Sequence, residues 1–365
     1  MKRVLINISN IHSGGALQVA ISFISELLAL DPPAVLVEIF VSTEVAGAFA
    51  PEQLTDSSWN IQIYNTYGLK TIFSRLNFTQ MRFDVVFTLF GPKYTWFKSK
   101  REIVGFAQPW ISSFEGALLE SMTAVAISKI KLKYLVQNYF FQKADVLVVE
   151  LDHVKTSLVR KNIFCESNII VVPNCIASFY FNESLWKKKN ISTSGSEISL
   201  GYITRDYAHK NIKILSEVSS ILLRKYHFKV KFYFSLTERE WSNYAHEFGD
   251  SAVTVGELSV YECPSFYQKM DGIIFPSLLE CFSATPLEAL VMRKPLFASD
   301  RGFVRDVCAD HALYFDPLLP ESIAKVIFEY FKGTPKTDIE LDAAKSHVIN
   351  FSNAKQRATD YLSII

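Results

Sequence analysis

The chain has 365 residues, enough for two domains, since single cores stop growing near ~250 to 300 residues. Its 38 lysines and arginines against 37 aspartates and glutamates leave a net charge of +1, which excludes a whole-chain field for nucleic acid and makes any phosphate-binding charge local. Hydrophobic residues make up 49%, with 29 Phe and 16 Tyr, yet no apolar run approaches the ~20 residues that cross a bilayer; the chain is expected to be soluble or to lie on a membrane surface.

The N-terminus "MKRVLINISN" runs directly into a strand-like segment and lacks the apolar stretch of a signal peptide, so a cytoplasmic protein is expected. Accordingly, the Asn-x-Ser/Thr sequons at Asn77, Asn182, Asn190 and Asn350 are read as chance. Cys165, Cys175, Cys263, Cys281 and Cys308 are odd in number and scattered, without CxxC spacing, which fits reduced thiols and no structural metal.

Through the first ~175 residues, short β-branched or aromatic runs alternate with helical patterns, the signature of parallel βαβ units. The predicted strands are "RVLINIS", "VEIFVS", "DVVFTLF", "EIVGFA", "DVLVVE" and "NIIVVP". Between the first strand and its helix, "NIHSGGALQVA" places Gly14 and Gly15, which admit positive φ and let a ligand approach the backbone closely. The helix buries the face of Val19, Ala20, Phe23, Ile24, Leu27 and Leu28. This loop is not the GxGxxG fingerprint, and Glu38 begins its strand instead of ending it, so a Rossmann oxidoreductase ranks last among enzyme readings.

Two segments of this half mix lysines with aromatic and apolar residues: "KYTWFKSKR", 93 to 101, and "KIKLKYLVQNYFFQK", 129 to 143. Such mixtures can rest on an anionic membrane surface. The second has an apolar face that can pack on a sheet, so it reads as core with snorkelling lysines, and Lys98, Lys100 and Arg101 of the first carry the membrane expectation.

Residues 182 to 198 lose periodicity and gather Lys, Ser, Asn and Gly, as a linker does. The strand pattern then restarts with "ISLGYIT", "KVKFYFS", "AVTVGEL", "GIIFPS" and "PLFASD", a second and smaller doubly wound domain. The division read here is 1–181, linker 182–198, 199–345, and a helical segment 346–365.

In the second half, "LGYITRDYAHKN" ends a strand with Arg205 and Lys210 close behind it; two cations there could hold a diphosphate as a leaving group. Their alternative is a solvated loop. "SLLECFSATPLEALVMRKP" sets Glu280 in the loop after "GIIFPS" and Glu288 in the helix that follows, with no Asp, Glu, Lys, Arg or His between them. Thr285, Pro286 and Glu288 spell a capping box, which would account for Glu288 but not for Glu280. The helix start behind "FSATP" offers backbone N–H groups to a phosphate, and a glutamate on either side could take sugar hydroxyls.

Together these residues resemble the group 1 family of retaining glycosyltransferases, of the glycosyltransferase family 4-like, bacterial surface-polysaccharide type. The likeness runs over nearly the whole chain: the Gly14-Gly15 loop, "IIVVPNCIASFYF", Arg205 with Lys210, "VGELSVYECPSFYQKMDGIIFPSLLE", the Glu280 to Glu288 spacing and "LYFDP". The resemblance implies an α/β GT-B fold, two Rossmann-like domains facing a central cleft, with the C-terminal helix returning to the first. It implies metal-independent, retaining hexosyl transfer with no cofactor, in which Arg205 and Lys210 bind the donor diphosphate, Glu280 contacts the transferred sugar and Glu288 holds the ribose. Gly14, Gly15, Phe282, Ser283, Ala284 and Thr285 are then donor-binding positions.

Three departures stand out. Glu280-Cys281-Phe282-Ser283-Ala284-Thr285 replaces the family's Glu-Gly-Phe-Gly-Leu-Pro; Gln108 in "GFAQPWISSFE" matches a position where many members carry histidine, and an amide is no base near pH 7; Arg301 to Arg305 lacks a glutamate sometimes found there. The partners implied are a nucleotide diphosphate sugar donor, a saccharide or lipid-linked saccharide acceptor, an anionic membrane surface and no nucleic acid. A cytoplasmic enzyme, peripheral on the inner membrane face and working in surface polysaccharide assembly, is the expectation. The rivals are a nucleotide-sugar epimerase of the same fold and a non-catalytic sugar-nucleotide-binding subunit.

Overall fold

A computed structural model describes residues 2–73, 81–94, 97–113, 116–119, 123–193 and 195–365. Asn77, Thr95, Trp96, Phe114, Glu115 and Ser194, named above within sequons or segments, lie outside that set. The chain forms two compact units, Met1–Phe114 with Leu119–Asn174 and Ala354–Ile365, and Glu115–Leu118 with Cys175–Asn353.

The first unit is built on a seven-stranded parallel sheet: β1 (Arg3–Ile8), β2 (Leu36–Val41), β3 (Asn60–Ile63), β4 (Arg82–Thr88), β5 (Lys98–Phe106), β6 (Val146–Val149) and β7 (Ile169–Val171), in the order 3-2-1-4-5-6-7. Central strands of such a sheet are covered on both faces and therefore read as continuous apolar runs. β1 does so, with Val4, Leu5, Ile6 and Ile8 all buried and Val4 in register with Val37 on one side and Val85 on the other. Helix α1 (Gly14–Leu28) lays Ala20, Phe23, Ile24 and Leu27 on that core, each large side chain contributing about 1.5–3 kcal/mol. Helices α2 (Ala124–Phe141) and α3 (Asp152–Arg160) lie in the second half of the unit.

The second unit carries a six-stranded parallel sheet: β8 (Ile198–Tyr202), β9 (Val230–Phe234), β10 (Ala252–Thr254), β11 (Gly272–Phe275), β12 (Leu296–Ser299) and β13 (Leu313–Phe315), in the order 10-9-8-11-12-13. Its longer helices are α4 (Ile214–Tyr226), α5 (Cys263–Lys269), α6 (Ala284–Val291), α7 (Gly302–Cys308), α8 (Pro320–Lys332) and α9 (Asp338–Phe351). Winding runs outward from β8 on one side and from β11 on the other, so β8 and β11 are neighbours although 69 residues separate the end of one from the start of the next. At such a switch point the loops behind the two strands diverge and leave a crevice at their carboxyl ends. The last helix, α10 (Ala354–Ile364), belongs to the first unit, where Tyr361 packs edge-on against Phe23 at 5.2 Å and Arg357, 1% exposed, donates to Asn174 Oδ1 and, at 2.9 Å, to Ser22 Oγ.

Two strands lie outside the sequence expectation, β3 and β13. Both are sheet edges, so one side of each needs no apolar neighbour, and their short "NIQI" and "LYF" runs lack a buried strand's signal. Among the basic and aromatic segments, Phe97 is buried against Phe40 and Phe83, Lys93 pairs with Glu102, and Lys100 pairs with Asp84 at 2.7 Å. Lys98 and Arg101 are exposed at the start of β5.

Candidate functional site

Behind β8 the chain runs through Arg205 to a short 3-10 turn, Ala208–Lys210, and behind β11 it runs through Ser277 to Glu280 before α6. The two loops are stitched together by backbone: the carbonyl of His209 accepts from Leu278 N at 2.8 Å and from Ser277 Oγ at 3.2 Å. That stitch places Lys210 Nζ 2.7 Å from Glu280 Oε1, with side chains only 14% and 10% exposed. Tyr202, wholly buried at the end of β8, fixes the same turn by donating its hydroxyl to the Lys210 carbonyl at 3.1 Å. Gly201 lets α5 press onto β8 here, for a Cβ at that position would stand 2.6 Å from Met270 and 2.7 Å from Phe266. Lys210 and Glu280 are thus brought together from sequence positions 70 apart.

Arg205 is also held by carboxylates. Its Nε donates to Glu240 Oε1 at 3.1 Å and its Nη1 to Glu257. Burial disfavours its charge, but Glu240 and Glu257 outweigh that and raise its pKa. Glu240 is fixed independently, since it closes a capping box with Thr237, whereas the Glu257 side chain is 65% exposed. His209, beside Lys210, has its pKa lowered to about 4 by burial and then by the Lys210 charge, against a smaller opposing pull from Glu280. It is neutral at pH 7.

The region around Glu288 departs from expectation. Helix α6 begins at Ala284 and its N-cap is Ser283, whose side chain makes no capping bond. Thr285 and Pro286 are therefore inside the first turn and Glu288 is the fifth helical residue, out of reach of the cap amide; the capping-box reading is overturned. The physical reason is Pro286, which tolerates any first-turn position because amides there have no intrahelical acceptor. Glu288 instead accepts from Tyr267 at 2.7 Å and from the Tyr180 hydroxyl. Burial pushes its pKa up, and the two phenol bonds oppose that shift. The start of α6 is left with no capping side chain and no acid in its first turn, so its N–H groups and positive dipole end are available to an anion. Cys281, Ser283 and Thr285 are buried around it, and Phe282 and Ala284 are half-buried.

Gly14 and Gly15 lie at the start of α1 in the first unit, Gly14 with φ +72°, and a Cβ on either would meet nothing within 4 Å. Gln108, also in the first unit, follows β5 and caps the short turn Pro109–Ser112 with its backbone carbonyl. Among the described residues no three His, Cys, Asp or Glu side chains gather to hold a metal ion, and no helix is long and apolar enough to cross a membrane. Arg305 pairs with Asp300 at 2.7 and 2.9 Å and stacks over Tyr314 at 3.6 Å. Sequence reasoning missed Tyr180, Tyr267, Glu240, Glu257 and His209. The first four meet their partners across long sequence separations and left no local spacing to read.

Residues 186–344, which include Arg205, Lys210, Glu280 and Glu288, match the family described as Glycosyl transferases group 1. No curated protein sequence matches the chain. Among solved structures, the chain is similar over its full length to a glycosyltransferase from Rickettsia africae, at 18% identity with a TM-score of 0.66 and 97% of that chain covered. It is similar also to sucrose-phosphate synthase from Thermosynechococcus elongatus, at 12% identity with a TM-score of 0.69 and 98% covered, and to Anabaena HepE in complex with UDP-glucose, at 14% identity with a TM-score of 0.66 and all of that chain covered; each again spans the whole of this chain. With two parallel sheets, matched from end to end by these structures, the chain has the α/β GT-B fold.

Proposed function

We propose that this protein is a retaining, metal-independent glycosyltransferase that moves a hexose-type sugar from a nucleoside diphosphate sugar to a saccharide or lipid-linked saccharide, in assembly of a bacterial surface polysaccharide. The observation that carries the reading is the pairing of Lys210 with Glu280 at the switch point between β8 and β11, beside an uncapped helix start. In this reading the diphosphate lies at the N–H groups of α6 between Arg205 and Lys210, whose charges stabilise it as it departs. Glu280 then releases Lys210 to the phosphate and turns its carboxylate to the hydroxyls of the transferred sugar. Glu288, oriented by two phenols, takes the ribose. Neutral His209 adds no charge that would compete for the phosphate. Gln108 lies on the acceptor side and positions without taking a proton.

The likeness to a structure solved with UDP-glucose supports a nucleotide sugar as donor. A thermal-shift panel of UDP-, GDP-, ADP- and dTDP-sugars tests this first, because ligand at a hundred times its dissociation constant adds about 2.7 kcal/mol of stability. A single responding nucleotide, followed by transfer with the donor's anomeric configuration kept, is the expected outcome. No response to any nucleotide sugar refutes the reading; sugar isomerised or released without a saccharide product assigns the chain to epimerase chemistry instead.

A further inference from the structure

Helix α2 (Ala124–Phe141) is apolar on two opposite faces. Ile127, Ile130, Tyr134 and Phe141, at spacings of three, four and seven, turn toward the first unit, where Tyr134 stacks on Trp110 at 5.8 Å and Phe141 meets Phe106 at 4.8 Å. Val125, Leu132, Leu135 and Tyr139, at spacings of seven, three and four, form the other face, and they are 65%, 62%, 69% and 57% exposed. A helix that is hydrophobic all round is ordinarily buried all round. This one has a cover on one side alone.

We propose that the outer face of α2 docks on an anionic lipid bilayer. By the 100° turn per residue of a helix, Lys143 projects about 35° and Lys129 about 75° from the centre of the outer stripe, Lys131 flanks it at about 85° on the other side, and Lys133, at about 115°, sits 5.1 Å over Tyr134 of the inner face. All four are exposed, and Lys143 Nζ sits 4.4 Å over the Tyr139 ring. From Thr123 to Ala144 the sequence contains no aspartate or glutamate. An apolar stripe rimmed by lysines matches a bilayer with acidic headgroups, where the stripe enters the acyl boundary and the ammonium groups reach the phosphates. A second copy of the same face would set lysine against lysine. No described helix crosses a membrane, so the attachment lies along the surface. The inference goes beyond the transferase reading and does not depend on it. It also exchanges the roles expected of the two basic segments: in the first, Phe97 is core and two of its cations are paired, whereas the second is the one left uncovered.

The test is co-sedimentation of the full chain with vesicles of phosphatidylcholine alone and of phosphatidylcholine mixed with phosphatidylglycerol. The protein is expected to pellet with the mixed vesicles at low salt and to release at high salt. Lys129→Ser, Lys131→Ser and Lys133→Ser together should lower the partition coefficient about a hundredfold. Leu132→Ser, Leu135→Ser and Tyr139→Ser together should lower it at least tenfold, with unchanged thermal unfolding because all three side chains are exposed. Leu135→Trp should show emission quenched by bromine-labelled acyl chains beyond the parent's own five tryptophans. Failure to pellet at low salt, equal pelleting of parent and both triple variants, or absence of added quenching overturns the proposal. A dimer that the apolar triple variant dissolves, with vesicle binding unaltered, assigns the face to a second copy and overturns it too.

Discussion

Glu280→Gln keeps the size of the side chain and removes the carboxylate that accepts from Lys210 Nζ at 2.7 Å. At that distance the gross attraction at an effective dielectric near 20 is about 6 kcal/mol, much of it offset by taking both groups out of water. Deleting one member of a buried pair costs about 3–5 kcal/mol, and the amide oxygen still accepts a hydrogen bond, so about 3 kcal/mol is expected. For a unit of this size that lowers its melting temperature by about 6–12 °C. Lys210→Met combined with Glu280→Gln removes the stranded charge and should recover most of the loss, a coupling of about 2 kcal/mol or more. Calorimetric unfolding of the parent, both single variants and the double variant measures it. If the effects add to within about 0.5 kcal/mol, the two groups are not paired in solution and the stitch between the loops does not organise the site. The same single variant should transfer sugar about ten- to more than a hundredfold more slowly, with nucleoside diphosphate affinity kept or raised because Lys210 has lost a rival anion. Unchanged turnover removes Glu280 from the chemistry.

Arg205→Ala should weaken nucleoside diphosphate binding, whereas Glu257→Gln should strengthen it severalfold at low salt and little at high salt, since an exposed pair is worth ~1 kcal/mol or less; titration calorimetry giving both variants the parent's affinity would separate Arg205 from the phosphates. His209 titrates near pH 6.5 when unfolded and near 4 when folded, so the unfolded state takes the proton first and stability falls as pH drops through that window. His209→Gln should flatten that fall, by roughly 2–3 kcal/mol at pH 4, in melts run across the range; a parallel pH dependence in parent and variant would refute burial of the imidazole. Arg357→Leu removes the buried donor to Asn174 Oδ1 and Ser22 Oγ and should destabilise the first unit by about 3 kcal/mol, seen as faster amide exchange there while the second unit is unaffected.

The central strands were legible because burial on both faces writes an unbroken apolar run; of the four edge strands, β7 and β10 were legible from their β-branched runs, whereas the short "NIQI" and "LYF" of β3 and β13 carry too little of that pattern. That Arg205, Lys210 and Glu280 stand behind strand ends, the side of a parallel sheet where ligands bind, was legible in the sequence. Their pairing was not, since it depends on β11 inserting beside β8 and no local pattern encodes which strand becomes the neighbour. The capping box from Thr285 to Glu288 was misread because Thr285 and Pro286 have equal licence one or two positions into a helix, and the phenols that hold Glu288 instead sit 108 and 21 residues away in sequence. In α2, two apolar faces cancel the periodic signal that distinguishes buried from open, so only the fold reveals which face has a neighbour.

The placement of α10 sets an order of assembly on the ribosome. The second unit draws on a nearly unbroken stretch and has all its strands and helices once Asn353 has emerged. The first unit begins earlier, yet the core around Phe23, Phe87 and Tyr361 and the Arg357 anchor exist only after synthesis has passed Tyr361. Until then the surface of α1 that takes Tyr361 stays open to water and to other nascent chains. The usual sequence in which the N-terminal domain finishes first is inverted here. A stalled or clipped polypeptide would therefore leave the N-terminal half unfinished, the half made first and exposed longest.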